Sequence, residues 1–263
     1  LPVILLTLLL GDLKIISIYA VFNLVISGIN SVLKIFTTGL SASFGEVIVK
    51  NEQTILQRTY REFEFSYYSL ITIIYTVTFI TIQPFINIYT KGITDVNYNM
   101  PMVGFLFVLN GLLYSIKTPQ GMLVISAGLY KETRWQSTVQ ALIILIFGIL
   151  LTPSLGILGV LLASILSNLY RDIDLMVFIP RKVTKTKIKD TAIRILRIFI
   201  CVAVSYIPFG AWRYTPEIFS EWIKYTIIVL LYTSLNTFII NFLFDKKEMK
   251  NVYQRLKGVL FTK

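Results

Sequence analysis

Long apolar runs dominate the chain, each closed by a short cluster of charged or turn-forming residues. Seven runs, at 15–40, 65–89, 102–125, 137–151, 155–170, 195–212 and 222–244, approach the roughly 20 helical residues that a bilayer core of about 30 Å requires. They predict an all-α fold, a polytopic membrane helical bundle of about seven full spans. The first ten residues, LPVILLTLLL, form a further apolar run that reaches only about 15 Å as a helix. With neither an initiator Met nor a basic flank, this run reads as a partial span, and the chain as the C-terminal part of a longer protein. Turn chemistry separates several runs, as in Lys-Gly-Ile-Thr-Asp at 91–95 and Thr-Pro-Ser-Leu-Gly at 152–156.

Polar residues recur inside two of these runs at helical spacing. In the first full span Tyr19, Asn23, Ser27, Asn30, Lys34, Thr37 and Ser41 follow at intervals of three or four and share one face. Asn110, Tyr114, Lys117 and Gly121 repeat the pattern in the third span. Rows of this kind face a bundle interior or a watery pathway, or else hydrogen-bond helix to helix. The lysine in each row favours a cavity and makes Lys117, Asn110, Tyr114, Lys34, Asn30 and Asn23 the candidate binding residues. Lys117 is the deepest of them, with about 12 Å of helix between it and the nearer span end. A cation at a helix centre costs at least ~2.5–3.5 kcal/mol, which points to a functional role. Lys34 lies near a span end, from which its side chain can snorkel to the surface. Pro119 interrupts the backbone ladder just after Lys117, and broken helices often surround transport sites. In the fifth span Gly156, Gly159, Ala163 and Ser167 form a small-residue face suited to close helix packing. Every acidic residue falls outside the proposed spans.

Composition agrees with a membrane location. Of 263 residues 55% are hydrophobic and 15% charged, against roughly 45–50% and 25% in soluble domains, and mean hydropathy is +0.72. Soluble enzymes, nucleic-acid binders and disordered chains are poor fits to these values. The net charge of +11 therefore marks loops beside anionic lipid, and no nucleic-acid partner is expected. Placing 11–14 outside sets the segments 44–64, 128–136, 170–197 and 244–263 inside, with 3, 2, 8 and 6 basic residues, 19 in all. Lys14, Lys91, Arg213 and Lys224 make 4 outside, so the C-terminus is expected in the cytoplasm. The segment 44–64 reads as an interfacial amphipathic helix or a helical extension, and 181–197 as a solvated basic stretch. Histidine is absent and Cys201 is the sole cysteine. This leaves no intramolecular disulfide, no His/Cys metal site and no His-based catalysis. No cofactor or metal is expected, and Cys201 reads as an inert packing residue.

Four stretches resemble the second half of a Wzx-type bacterial oligosaccharide flippase, of the multidrug/oligosaccharidyl-lipid/polysaccharide exporter superfamily. They are LGDLKIISIYAVFNLVISGINSVLKIFTTGLSASFGE (10–46), YTKGITDVNYNMP (89–101), IKTPQGMLVISAGLYKET (116–133) and LGILGVLLASILSNLYR (155–171). The resemblance implies two six-helix lobes around a cationic cavity that flips an undecaprenyl-pyrophosphate-linked oligosaccharide across the bacterial plasma membrane for capsule or exopolysaccharide synthesis, without covalent chemistry. It makes residues 1–180 second-lobe transmembrane helices, 181–194 a basic cytoplasmic linker, 195–244 two extra C-terminal spans and 245–263 a cytoplasmic basic tail. The implied partners are that lipid-linked oligosaccharide, membrane lipids and an upstream N-terminal lobe. Similar proteins carry a basic residue just before a proline, as Lys117 stands before Pro119, but have an acid where this chain has Gln140 and a histidine where it has Leu129. The same residues also accommodate a drug or lipid II exporter of that fold, a membrane polymerase or glycosyltransferase, or a non-functional fragment.

Overall fold

A computed structural model describes residues 1–211 and 214–261; Arg213, one of the four outer basic residues counted above, and the end of the basic tail lie outside them. The described chain is 87% helical and contains no strand. In order the helices are α1 (Pro2–Leu10), α2 (Leu13–Thr37), α3 (Leu40–Val49), α4 (Gln53–Tyr89), α5 (Pro101–Ile116), α6 (Thr118–Ser126), α7 (Tyr130–Leu155) and α8 (Ile157–Ile179), then α9 (Ile188–Ala211), α10 (Phe219–Phe244) and α11 (Lys246–Phe261). A single wide turn, Pro180–Thr184, follows α8.

Six stretches of helix among the described residues are long and apolar enough to cross a membrane: Leu13–Val49, Gln53–Tyr89, Pro101–Ser126, Tyr130–Leu155, Ile188–Gly210 and Phe219–Phe244. The expected span at 155–170 lies within α8, which runs on to Ile179 and takes in Arg171, Asp172 and Asp174. The mixed segment 44–64 divides between α3 and the first turns of α4. Ser41 therefore sits on a different helix from the rest of its polar row.

Helix α4 is the axis of the bundle. Its 37 residues span about 55 Å, and α2, α3, α5, α9, α10 and α11 all pack against it. Tyr68, Ile71, Tyr75 and Ile86 are wholly buried along its length. Its threonines are housed without outside partners: Thr72, Thr76, Thr78 and Thr81 each donate to the carbonyl four residues earlier, at 2.6–2.8 Å. That local bond satisfies a hydroxyl where no water reaches it.

Close approaches are made at small residues. On α5, a methyl group on Gly111 would come within 2.9 Å of the Tyr75 ring and 3.1 Å of Ile26, so α5 lies tightly between α4 and α2. The turn from α7 to α8 passes through Gly156 at φ +58°, a conformation L side chains rarely adopt. Beyond it Gly159 faces the Leu151 backbone, Ala163 is wholly buried, and the Ser167 hydroxyl donates to the Gln140 carbonyl at 2.9 Å. The small-residue face expected from the sequence thus packs α8 onto α7.

Two expectations fail where α9 meets α4. Exposure matches the reading of a solvated basic stretch at Arg181, Lys182, Lys185, Lys187 and Lys189, but α9 starts at Ile188, and Arg194 and Arg197 are buried. Arg194 binds Glu64 at 2.8 Å and Asp245 at 3.1 Å, with Glu248 at 3.9 Å. Arg197 reaches Asp245 at 3.4 Å and lies over the Phe65 ring. Glu64, placed by sequence at the end of the inside segment 44–64 and outside the spans, is 1% exposed inside a helix that spans. Besides Arg194 it accepts from Tyr60 and Thr191 at 3.1 Å and from Gln120 at 3.3 Å. Hydropathy windows could not reveal this, because the cation that compensates Glu64 lies 130 residues away in sequence. Cys201 is buried, as expected.

Candidate functional site

The third apolar run is broken where Pro119 predicts. Helix α5 ends at Ile116 and α6 starts at Thr118, with Lys117 between them. Pro119 offers no N–H to the Ser115 carbonyl, and the Lys117 N–H turns to it instead. The break is clamped from α4: the Tyr68 hydroxyl donates to the Ile116 carbonyl at 3.0 Å and accepts from Gln120 at 2.7 Å.

At this break the Lys117 ammonium donates to the Asn168 side-chain oxygen on α8. The Asn168 amide in turn donates to the Asn110 side-chain oxygen on α5 at 2.8 Å. The ammonium also lies 5.1 Å from the centre of the Tyr114 ring, within cation–π range. One turn along α8 from Asn168, Asp172 is buried, and neither of its carboxylate oxygens accepts a hydrogen bond. It interacts electrostatically with Lys117. Arg171 is buried beside it and holds Asp174 at 2.7 Å.

Lys117 opens onto a cavity of about 680 Å³ between α2, α3, α5, α6, α7 and α8. Its lining includes Lys34, Tyr114, Lys117, Gln140 and Arg171, with hydroxyls from Thr37, Ser41, Thr133 and Ser137. Three cations and no carboxylate face it among the described residues. A concave site of cations, one amide, hydroxyls and the Tyr114 and Tyr130 rings is matched to a hydrated, polyhydroxylated anion. A second groove, of about 520 Å³ between α2, α4 and α10, is lined by Leu24, Val32, Val77, Phe85 and Trp222 among others and, among the described residues, by no charged one. It suits lipid hydrocarbon and lies apart from the ionic chemistry.

The six residues singled out by sequence divide into three groups. Lys117, Tyr114 and Asn110 come together at the break, and Lys34 joins them across the cavity. Asn30 accepts a hydrogen bond from Tyr75 at 3.2 Å, and Tyr75 also meets Ser115 at 2.9 Å. Asn23 is exposed on α2 and is not part of the cavity wall.

Sequence reading missed Asn168, Arg171 and Asp172, and with them the acid beside Lys117. The signal was available: these charges interrupt an apolar run that resumes as Leu-Met-Val-Phe-Ile at 175–179, and ionisable residues flanked by apolar sequence on both sides belong to bundle interiors. Ending the span at Tyr170 hid them.

Helix content, the six apolar helices and a polar pocket among them define the class: a multi-pass helical membrane protein. Comparison with protein-family models, curated proteins and solved structures finds no match to this chain.

Proposed function

We propose that this chain forms one lobe of a bacterial plasma-membrane transporter that flips a lipid-linked oligosaccharide for capsule or exopolysaccharide synthesis, with its C-terminus in the cytoplasm. The observation that carries this reading is the cation-lined cavity at the α5–α6 break, where Lys117, Lys34 and Arg171 converge with no lining carboxylate among the described residues. A diphosphate bridging lipid and sugar is the ligand best matched to it. Its negative oxygens pair with ammonium and guanidinium groups, and its sugars meet the Gln140 amide, hydroxyls and the Tyr114 and Tyr130 rings.

Binding and release, with no bond made or broken, account for this donor set. The broken helix supplies a point at which α6 can move relative to α5. Asn23 and Lys34 are exposed on α2; in a bilayer such groups require water or a facing protein surface. A second lobe opposite α2 would supply that surface and close the cavity, consistent with the stretches that resemble Wzx-type flippases.

The test is complementation of polysaccharide export by variants of the complete transporter, with membrane levels followed by immunoblot. Lys117→Ala is expected to abolish or strongly reduce export at normal abundance. Lys117→Arg should retain part of it, because the charge survives while the compact ammonium does not. Wild-type export by Lys117→Ala would sink the proposal.

A further inference from the structure

Asp172 is the one group at the site that the proposed function leaves unused. It is 9% exposed, and both carboxylate oxygens lack hydrogen-bond donors. A buried carboxylate without donors forfeits the hydrogen bonds that it makes in water. Its compensation here is electrostatic and comes from Lys117. Lys117, in turn, spends its one hydrogen bond on the neutral amide of Asn168 rather than on the acid. The ammonium is thereby held between two claims, the internal carboxylate behind it and the open cavity in front.

The other groups around Asp172 do not relieve it. Arg171, its neighbour on α8, is committed to Asp174 at 2.7 Å. From α4 comes the Tyr68 phenol, which interacts with Asp172 electrostatically but donates its proton to the Ile116 carbonyl. Helix α5 brings the Tyr114 phenol, and α6 and α1 carry no ionisable side chain. On α7 the cavity is lined by the exposed Tyr130 phenol, the Thr133 and Ser137 hydroxyls and the neutral amide of Gln140, and the charged residues Lys131, Glu132 and Arg134 are exposed at its start. From the turn after α8, Arg181 and Lys182 point to solvent, while Arg194 and Arg197 of α9 are held by Glu64 and Asp245.

We propose that Asp172 is a built-in counter-anion of the Lys117 site, and that an external anion pairing with Lys117 is accompanied by uptake of a proton on Asp172. The inference rests on the reading of the cavity as a diphosphate site. When the ligand's charge is placed on Lys117, the carboxylate behind it faces two negative groups for one cation, and a buried pair of like charges resolves by protonation. Binding is then linked to proton uptake, so affinity falls as pH rises. The ligand also competes with Asp172 for the ammonium, which keeps binding weak enough for release on the far side.

The experiment is titration calorimetry on the complete transporter, this chain together with its partner lobe, in lipid nanodiscs with a short-chain isoprenyl diphosphate sugar. The diphosphate of this probe is a diester whose charges do not titrate near neutrality. Heats measured in two buffers of different ionisation enthalpy count the protons moved. Wild type is expected to take up about one proton per ligand bound near pH 8. In a Lys117→Arg background, whose guanidinium stays charged at that pH, Asp172→Asn should take up none, lose the pH dependence, and bind on the order of tenfold tighter. Ligand binding without proton uptake, or uptake unchanged by Asp172→Asn in that background, overturns the role of Asp172 and leaves the transport reading standing. Absence of binding to wild type overturns both.

Discussion

Two buried carboxylates, Glu64 on α4 and Asp172 on α8, occupy opposite surroundings. Glu64 accepts four hydrogen bonds, from Arg194, Tyr60, Thr191 and Gln120, drawn from α4, α6 and α9. Asp172 accepts none. Both sit in an apolar bundle, where desolvating a charge costs several kcal/mol unless partners replace the lost water. Saturating Glu64 joins α9 and, through Asp245 and Glu248, the start of α11 to α4. Leaving Asp172 unsaturated keeps a charge whose state another molecule can alter. A saturated network serves as a joint; an unsaturated one keeps capacity for a ligand.

Breaking the joint should have the largest effect. Arg194→Ala strands Glu64, and removal of one partner from a buried pair costs about 3–5 kcal/mol. We expect a large fall in membrane abundance and in the thermal midpoint of the detergent-solubilised protein. The same measurements on Asp172→Asn should show equal or raised stability, since that change discharges an unsatisfied group. Similar losses in both variants would erase the distinction between the two regions.

A smaller effect is expected at Asn168. Its side chain holds the Lys117 ammonium, and a hydrogen bond to a charged group is worth roughly 1.5–3 kcal/mol. Asn168→Ala should weaken ligand binding by a factor on the order of ten or more while leaving abundance near wild type. Binding calorimetry checks this, and unchanged affinity would remove Asn168 from the site.

Lys34 should matter least. It is exposed across the cavity from Lys117, so the loss of its charge is screened by water and ions. Lys34→Ala is expected to lower affinity by less than about fivefold, a change of under 1 kcal/mol. The loss should shrink further at high salt. A loss as large as that of Lys117→Ala would place the two lysines on an equal footing and move the centre of the site towards α2.

Sequence alone determined the helical membrane character of the chain, because apolar run length against bilayer thickness is a local property. It also located the break at Pro119 and the tight α7–α8 packing through Gly159 and Ala163. Each of these follows from the chemistry of a residue and its near neighbours: a missing N–H, a missing side chain. Half of the candidate site was legible for the same reason, since Asn110, Tyr114 and Lys117 lie on one helical face. What the sequence could not decide was which charges are buried and what compensates them. Glu64 read as the end of an interfacial helical segment and Arg194 as part of a basic linker until the fold set one against the other, and Asp172 read as the far side of a span end. Burial of a charge depends on partners brought from distant helices, so tertiary structure alone decided that one carboxylate is a joint and the other stands behind Lys117.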